Sequence, residues 1–289
     1  MLVPFVKMQG IGNDFVMLDV IAAGGDGVAL AEAARRRAAH LCDRKFGIGA
    51  DGVILVLGPE GGAEFRMVMY NPDGSEAEMC GNGIRCFAKF VYDRGYTTSA
   101  EQRILTGRGV LTTRATISGG KVRMVTVDMG APILARKDVP AALPGGSDEP
   151  IINEEIEVDG RTWRVTCVSM GNPHCIVFVD DVDALDLPRI GPLFESHPLF
   201  PKRINTEFIQ VVNREEYRMR VWERGAAETL ACGTGACAAA VACALNGKTD
   251  RRVAGHLAGG DLLLDWSEGG SVFMTGPAAD VFEGEIPLT

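Results

Sequence analysis

The sequence predicts an α/β protein of the α+β kind, with two domains related by a pseudo-twofold axis. The first observation is a motif that occurs twice, as Cys80-Gly81-Asn82-Gly83 and as Cys232-Gly233-Thr234-Gly235, each time leading directly into an apolar stretch of helical character. The second is that a Glu-aromatic-Arg-Met segment precedes each cysteine by the same sixteen residues, at 64–67 and at 216–219. The chain therefore contains one folding unit twice, with a thiol at the same place in each copy.

Short strands outnumber helices in this chain and do not alternate regularly with them, which argues against a doubly wound parallel sheet. We expect each domain to be a mixed, mostly antiparallel sheet curled around a central helix, with the active site in the cleft between the domains. The predicted N-terminal domain comprises residues 1–130 plus 278–289, and the predicted C-terminal domain comprises residues 131–277. A Gly-Ala-Pro segment at 130–132 marks the crossover.

In the first half, an alanine- and arginine-rich run predicts a helix at 28–42. The helix after Cys80 has apolar residues at positions i, i+3, i+4 and i+7, and it stops at Gly95. A turn sequence follows residue 70, so that 53–70 has the pattern of a hairpin. β-branched and alternating apolar residues predict strands at 3–7, 15–20, 53–57, 65–70, 103–118 and 121–129.

The second half repeats this order of elements. Residues 236–245 are apolar on all sides, which indicates a helix enclosed by sheet. Residues 140–155 are rich in proline, glycine and acid, and are expected to form a surface loop or the start of the second domain rather than core. The tail at 278–287 is expected to return to the first domain. Strands are predicted at 163–169, 175–179, 205–212, 217–222, 261–266 and 271–275.

Composition limits the possible partners. The chain has 289 residues, 46% of them hydrophobic, and a formal net charge of −9, which argues against a nucleic-acid or anionic-membrane surface. No apolar run reaches the roughly 18 residues that a membrane span needs, and no signal peptide is recognisable, so a cytoplasmic location is expected. Eight cysteines without a Cys-x-x-Cys pair and four scattered histidines predict no metal site, and no cofactor is expected.

A cysteine at the start of a helix is suited to acid–base chemistry. The first helical turn carries unpaired N–H groups and partial positive charge, which stabilise a thiolate and bind a carboxylate. We therefore predict that Cys80 and Cys232 are catalytic, and that their sulfurs flank the α-carbon of one amino acid at about 7 Å from each other. Inversion by two bases needs one thiolate and one thiol at the same moment, and His174 and Glu223 are the groups predicted to set these states.

Two other motif interpretations fail on structural grounds. Residues 47–52 fit Gly-x-Gly-x-x-Gly, but a predicted helix precedes them and a predicted strand follows, the reverse of a dinucleotide-binding turn. A cysteine hydrolase would use one thiol with His174 and Asn172, which leaves the second thiol without a role.

The motifs together resemble the diaminopimelate epimerase family, and the resemblance covers nearly the whole chain. The segments that carry it are Met8-Gln9-Gly10-Ile11-Gly12-Asn13-Asp14-Phe15, Phe46-Gly47-Ile48-Gly49-Ala50-Asp51-Gly52, Asn71-Pro72-Asp73-Gly74-Ser75, Cys80-Gly81-Asn82-Gly83-Ile84-Arg85-Cys86, Gly171-Asn172-Pro173-His174 and Glu223-Arg224-Gly225 with Glu228-Thr229-Leu230-Ala231-Cys232-Gly233-Thr234-Gly235.

The resemblance implies a cofactor-independent isomerase that converts LL-2,6-diaminoheptanedioate to the meso form in lysine and peptidoglycan precursor biosynthesis. It implies that Cys80 and Cys232 are the acid–base pair, with His174 and Glu223 in auxiliary roles, and that the enzyme is a homodimer. Many family members have Gln where this chain has Gly52, whereas Asp51 is interpreted as a turn residue. The implied substrate contacts are Asn13, Asn71, Gly81, Asn82, Asn172, Asn205, Glu223, Arg224, Gly233 and Thr234.

Two other functions remain open at this point. A proline or hydroxyproline racemase uses a similar pair of cysteines, and products formed from each substrate would distinguish it. A non-catalytic binding or structural module is the other possibility, and ordinary thiol reactivity at Cys80 and Cys232 would favour it.

Overall fold

A computed structural model describes residues 2–288 of the chain. Its internal contacts separate two compact units: unit 1 is Met1–Val127 with Thr275–Thr289, and unit 2 is Asp128–Met274. The predicted domain boundaries lie three residues further along the chain at both crossings. No helix in the described part is long and apolar enough to cross a membrane.

Unit 1 is a mixed sheet with a helix on each face. Its elements are β1 Leu2–Gly10, β2 Asn13–Asp19, α1 Val20–Ala23, a 3-10 turn Gly24–Asp26, α2 Gly27–Cys42, β3 Gly52–Leu57, β4 Phe65–Tyr70, β5 Glu76–Ala77, α3 Gly81–Asp93, β6 Glu101–Thr106, β7 Gly109–Ser118 and β8 Lys121–Asp128. Alternate residues of a strand face opposite sides. Val16 and Leu18 of β2 pack with Leu30 and Leu41 of α2, while α3 contacts β1, β2, β3 and β7.

Unit 2 has the same construction. Its elements are β9 Ile151–Val158, β10 Arg161–Ser169, β11 Pro173–Phe178, α4 Leu187–Glu195, β12 Asn205–Asn213, β13 Glu216–Glu223, β14 Ala227–Thr229, α5 Gly233–Leu245, β15 Arg252–Leu257, β16 Gly260–Trp266 and β17 Val272–Pro277. Val177 and Phe208 of the sheet pack with Ile190 and Phe194 of α4. The helix α5 contacts β10, β11, β12, β15 and β16. The last strand of the chain, β18 Ala279–Pro287, pairs with β1 of unit 1, so the predicted return of the tail is confirmed.

The two sheets pair their strands in the same series. In unit 1 the order is β18-β1-β2-β3-β4-β6-β7-β8, with parallel pairs at β2/β3 and β4/β6 and antiparallel pairs elsewhere. In unit 2 the order is β9-β10-β11-β12-β13-β15-β16, with parallel pairs at β11/β12 and β13/β15. The predicted mixed, mostly antiparallel sheet is therefore confirmed for each unit.

The register reproduces the sequence repeat residue by residue. Glu76 lies opposite Tyr70 in β4/β5, and Glu228 lies opposite Trp222 in β13/β14. Glu76 and Glu228 are 152 residues apart in the chain, and so are Tyr70 and Trp222. Cys80 and Cys232 have the same separation. The repeat found in the sequence is thus a repeat of backbone hydrogen bonding.

Several predicted elements need correction. The single strand predicted at 103–118 is two strands, β6 and β7, because Gly107 and Arg108 form the turn between them. The segment 140–155 was expected to lie outside the core, but Leu143 and Ile151 are buried in it and β9 begins at Ile151. The elements α4 and β15 were not predicted. The helix α4 begins at a Leu-Pro step and contains a second proline, which disfavours a helix prediction. The strand β15 contains glycine and histidine, which break its apolar pattern.

Candidate active site

Both motif cysteines occupy the N-cap position of a helix, as the sequence predicted. Cys80 precedes α3 in an extended conformation (φ −137°, ψ 119°), and Cys232 precedes α5 in nearly the same one (φ −114°, ψ 108°). Each sulfur accepts a hydrogen bond from the N–H three residues on, Gly83 or Gly235, at 3.4 Å. The thiol thus takes the place of the serine or aspartate oxygen that usually caps a helix.

The third-position glycines allow each helix start to pack closely against its sheet. A Cβ at Gly83 would lie 2.9 Å from Ile54 Cδ1 in β3, and a Cβ at Gly235 would collide with Glu207 Oε1 in β12. The geometry shows that these glycines are needed for the contact between helix and strand.

Asn13 lies beside Cys80, with its amide held in one orientation. Its Nδ2 donates to Asp51 Oδ2 at 2.7 Å, and its Oδ1 accepts from Asn82 Nδ2 at 3.1 Å. The Cys80 thiol donates to the same Oδ1 at 3.6 Å. The structure therefore brings together three of the predicted site residues of unit 1, Asn13, Cys80 and Asn82, and adds Asp51.

A network of ion pairs fixes Asp51 in turn. Arg44 donates to Asp51 Oδ1 at 2.7 Å and to both oxygens of Asp14, and Lys7 pairs with Asp14 at 2.7 Å. Burial raises the pKa of Asp14, but hydrogen bonds from Arg44 and Lys7 outweigh it and lower that pKa to about 2. Asp51 was interpreted from the sequence as a turn residue; it is also the group that orients Asn13.

Asn71 and Gly52 occupy turn and strand positions in unit 1. Asn71 Nδ2 donates to Ser75 Oγ at 3.0 Å, and its backbone N–H donates to Ser75 O at 2.8 Å, which closes the turn before β5. Gly52 lies at the start of β3, where a Cβ would be 2.8 Å from the Met69 methyl group and 3.0 Å from Tyr70 O. Glycine at position 52 thus has a packing reason in this chain. Gly81 lies in the first turn of α3, where its carbonyl accepts from Arg85 Nη1 at 3.1 Å.

In unit 2, a chain of polar contacts leads to Cys232. Glu207 Oε1 and His174 Nδ1 are 2.7 Å apart, and both side chains are fully buried. His174 Nε2 lies 3.1 Å from Asn172 Oδ1, and Asn172 Nδ2 donates to Thr234 Oγ1 at 3.2 Å. Thr234 Oγ1 is 3.6 Å from Cys232 Sγ. Four of the predicted site residues, Asn172, His174, Cys232 and Thr234, therefore form one cluster with Glu207.

The electrostatics around Cys232 differ from the expectation for a helix start. Burial raises the pKa of this thiol well above its usual value, and the carboxylates Glu223 and Glu207 raise it further. The hydrogen bonds from Thr234 and Gly235 act in the opposite direction but do not outweigh burial. The predicted fall in the pKa of this cysteine is therefore wrong for Cys232: because its side chain is buried, desolvation dominates over the helix start.

Glu223, Asn205 and Arg224 lie at the edge of this cluster. Glu223 ends β13 and accepts from the Thr229 hydroxyl at 2.5 Å. Asn205 is buried, donates to Pro173 O at 2.8 Å and accepts from the Arg224 N–H at 2.9 Å, so that both ends of its amide bind the backbone. The Arg224 guanidinium is exposed and donates to Lys202 O at 3.2 Å. Gly233, the first residue of α5, is buried.

Three atoms in this cluster have the proximity of metal ligands. The donor atoms of His174, Glu207 and Cys232 lie within 4.8 Å of one another, which holds for no other such group in the described residues. His174 Nδ1 and Glu207 Oε1 are already hydrogen bonded to each other at 2.7 Å. A metal ion would have to break that bond, so we assign these atoms to the hydrogen-bonded chain.

Comparison with known proteins gives the family. The family model described as diaminopimelate epimerase matches residues 5–135 and 166–281. This chain belongs to the diaminopimelate epimerase family. Relatives of that name include one from Moorella thermoacetica, 56% identical over 98% of this chain and 99% of its own, and one from Leptospira biflexa, 52% identical over 100% of both. The family member described here therefore spans the full length of its relatives.

Solved structures support the fold of this family member. A phenazine biosynthesis protein of the PhzF family from Bacillus anthracis has a TM-score of 0.70 at 16% identity, covering 99% of both chains. A hydroxyproline epimerase from Agrobacterium vitis has a TM-score of 0.67 at 14% identity, covering 99% of this chain and 92% of its own. At these identities the likeness shows the fold alone, and the predicted two-domain α+β class is confirmed.

Glu207 was not among the residues predicted from the sequence. It stands two residues after Asn205 in β12, a strand that was predicted correctly in position. The available signal was a single charged residue in an otherwise uncharged strand, which alternation places on the same face as Asn205.

Proposed function

We propose that this protein converts LL-2,6-diaminoheptanedioate to meso-diaminoheptanedioate, in the pathway that forms lysine and peptidoglycan precursors. The observation that supports this most strongly is membership in the diaminopimelate epimerase family over the full chain, at 56% identity to a relative of that name. The duplicated N-cap cysteine is the feature that suits the chemistry, because each half of the fold supplies one thiol.

The proposed mechanism uses Cys80 and Cys232 on opposite faces of one α-carbon. One thiolate removes the α-proton and the other thiol returns a proton from the opposite side. Because the pKa of Cys232 is raised well above its usual value, Cys232 begins as the thiol. In that direction Cys80 has to lose the proton that it donates to Asn13 Oδ1 and act as the thiolate, and the two states are exchanged after each turnover.

The remaining predicted residues would hold the substrate. N–H groups at the starts of α3 and α5, at Gly81-Asn82 and Gly233-Thr234, suit the carboxylate next to the reacting carbon. The exposed guanidinium of Arg224 suits the distal carboxylate, which it can bind through two parallel hydrogen bonds. Asn13, Asn71 and Asn172 are proposed to contact the distal amino-acid head of the substrate, because an amide can accept from its ammonium group and donate to its carboxylate. The amide of Asn205 already binds the backbone at both ends, so its proposed role is to shape the site.

Isotope exchange tests the function and the thiols together. Incubation with LL-2,6-diaminoheptanedioate in D₂O should give the meso isomer with deuterium at one α-carbon, measured by chiral chromatography and mass spectrometry. Cys80→Ala and Cys232→Ala should each abolish the epimerisation. Cys86→Ala and Cys237→Ala are the matched controls, because these buried cysteines lie on the same two helices and should keep most activity.

Other outcomes of that experiment reject the proposal. Full epimerase activity in Cys80→Ala would exclude the two-thiol mechanism. Inversion of proline or hydroxyproline without inversion of diaminopimelate would assign the chain to a racemase instead. Loss of all three activities, with both cysteines alkylated by iodoacetamide no faster than an ordinary exposed thiol, would favour a non-catalytic module.

We further propose that the enzyme is a homodimer that acts in the cytoplasm, the first from the family resemblance and the second from the sequence analysis. Size-exclusion chromatography with light scattering tests the dimer, and a mass of one chain at micromolar concentration would exclude it. Cell fractionation with an antibody to the chain tests the location.

A further inference from the structure

Unit 2 carries a buried acid–histidine pair where unit 1 carries two hydrophobic residues. In the parallel pair β11/β12, His174 lies opposite Asn205, and Glu207 is two residues further along β12. In the equivalent pair β2/β3, Phe15 lies opposite Gly52, and Ile54 is two residues further along β3. The packing agrees with this equivalence, because Gly83 rests on Ile54 and Gly235 rests on Glu207.

The contacts of Asn172 decide where the protons of His174 lie. Asn172 uses its Nδ2 to donate to Thr234 Oγ1, so its carbonyl oxygen Oδ1 faces His174 Nε2. An amide oxygen only accepts, and therefore Nε2 must carry a proton. The remaining hydrogen bond, between His174 Nδ1 and Glu207 Oε1 at 2.7 Å, then contains one proton, held by either partner.

The direction of the next hydrogen bond determines which group faces the Cys232 sulfur. Thr234 Oγ1 accepts from Asn172, so the hydroxyl hydrogen of Thr234 is available to donate to Cys232 Sγ, 3.6 Å away. A donor directed at the sulfur favours its thiolate form. Glu207 is the end of this chain remote from the sulfur; its side chain is fully buried and its Oε2 has no hydrogen-bond partner among the described residues.

We propose that Glu207 is a positioning residue for Cys232: it sets the direction of the hydrogen bonds along the chain Glu207–His174–Asn172–Thr234, so that the Thr234 hydroxyl donates to the sulfur. Without a carboxyl group at position 207, His174 is free to carry its single proton on Nδ1. Asn172 then turns over, and Thr234 donates to Asn172 rather than to Cys232. The inference rests on the proposed function only for its catalytic consequence.

Other charged groups in unit 2 act on the same sulfur and have to be separated from this effect. Glu223 on β13 acts on Cys232 through its charge, and Glu207 itself does the same. Removing Glu207 therefore changes both the charge and the direction of the chain. A double-mutant cycle with Thr234 isolates the second effect, because a pure charge effect is the same with or without the Thr234 hydroxyl.

The test measures the rate of Cys232 alkylation by iodoacetamide, by mass spectrometry without substrate, in Glu207→Leu, Thr234→Val and the double variant. The factor by which Glu207→Leu changes the alkylation rate should differ at least about fivefold between chains with and without the Thr234 hydroxyl. Glu207→Gln removes the same charge, but its amide can donate to Nδ1 and keep the proton on Nε2, so its effect, measured alone and together with Thr234→Val, should be the same with and without the Thr234 hydroxyl. In the activity assay, Glu207→Leu should lower kcat at least about fivefold and leave KM within about twofold.

Tyr217→Phe is the matched control, because Tyr217 is buried against the same helix but bonds to Ala236 O outside the chain. The factors by which Tyr217→Phe and Thr234→Val change the alkylation rate should multiply in the double variant, as they do for independent sites. The proposal would be overturned if the effects of Glu207→Leu and Thr234→Val multiplied, or if the effect of Glu207→Gln depended on the Thr234 hydroxyl as strongly as that of Glu207→Leu. Because alkylation needs no substrate, such a failure is distinct from a failure to epimerise diaminopimelate.

Nitrogen-15 NMR of the unmodified protein gives a second test that leaves the buried cluster unaltered. The chain has four histidines, so the His174 ring can be assigned by replacing the other three in turn, none of which is buried. The proposal expects a protonated Nε2 throughout the pH range of activity. A His174 ring with a bare Nε2 and a protonated Nδ1 would overturn it.

Discussion

Asn13 donates to Asp51 through Nδ2 at 2.7 Å, and this hydrogen bond, together with the one from Asn82, directs the Asn13 carbonyl oxygen at the Cys80 thiol. The bond to Asp51 joins the first residue of β2 to the residue before β3, 38 residues apart in the chain. Asp51 is itself held by Arg44. The orientation of one amide beside the thiol therefore depends on an ion pair remote from the motif.

Replacing Asp51 tests this dependence. In Asp51→Asn the new amide can donate to Asn13 Oδ1, which allows Asn13 to turn over, and the ion pair with Arg44 is lost. We expect kcat to fall about tenfold, which corresponds to about 1.4 kcal/mol. Asp250→Asn is the control, since Asp250 forms an exposed ion pair with Arg214 away from both cysteines and should change kcat less than about twofold. Equal kcat in the two variants would reject the role of Asp51.

The lowered pKa of Asp14 predicts a loss of folding stability in acid. Its pKa lies below the ordinary value of 3.8, at about 2, so its ionised form is stabilised by folding. A lowered carboxyl pKa contributes stability above the unfolded value and loses it as the pH falls through the folded one. Asp14→Asn should therefore lower the free energy of unfolding by about 1 kcal/mol at pH 7, with allowance for solvent screening, and by much less at pH 2.

Urea denaturation at pH 7, 4 and 2 measures the effect of Asp14. Asp148→Asn serves as the control, because Asp148 forms an exposed pair with Lys137 and should matter little at any pH. A deficit for Asp14→Asn that stays constant from pH 7 to pH 2 would contradict the assignment.

Gly235 is expected to tolerate no side chain. In Gly235→Ala the new Cβ meets Glu207 Oε1 and lies 3.2 Å from Cys232 Cβ, so the start of α5 must move away from β12. We expect a loss of about 1–3 kcal/mol of stability, as for other overpacked sites, together with a lower kcat. Gly58→Ala is the control, because a Cβ there meets nothing within 4 Å. Thermal melting and the epimerase assay read out both effects, and a fully active, fully stable Gly235→Ala protein would show that the contact is not limiting.

The charge of Glu223 raises the pKa of Cys232 and so disfavours its thiolate form. Burial is the largest cause of the raised pKa of this thiol and Glu223 the next, so removing that charge lowers the pKa and increases the thiolate fraction at neutral pH. We expect Glu223→Gln to be alkylated at Cys232 several-fold faster at pH 7, with the difference disappearing at high pH. Glu228→Gln, in the adjacent strand and paired with Arg220, is the control. A slower reaction in Glu223→Gln would give the charge effect the wrong sign.

The sequence was most informative where its signals were local. The N-cap cysteines were predicted because a cysteine followed by two glycines and an apolar run describes a helix start, and the hairpin β3/β4 followed from a turn sequence beyond Tyr70. Glu207 and Asp51 were missed or misjudged because their roles arise from contacts across strands. The burial of Glu207 depends on α5 packing over β12, and the bond from Asp51 to Asn13 depends on the parallel pairing of β2 with β3. Such long-range pairings leave no periodic trace in one chain.

The two sheets keep the same ladder of strands although Phe15 and Ile54 stand where His174 and Glu207 do. Main-chain hydrogen bonds hold this strand order, so the residues packed against each helix start can differ between the two units without a change of fold. A fold built from two equivalent units can therefore place different side chains beside its two helix starts while both sheets stay the same.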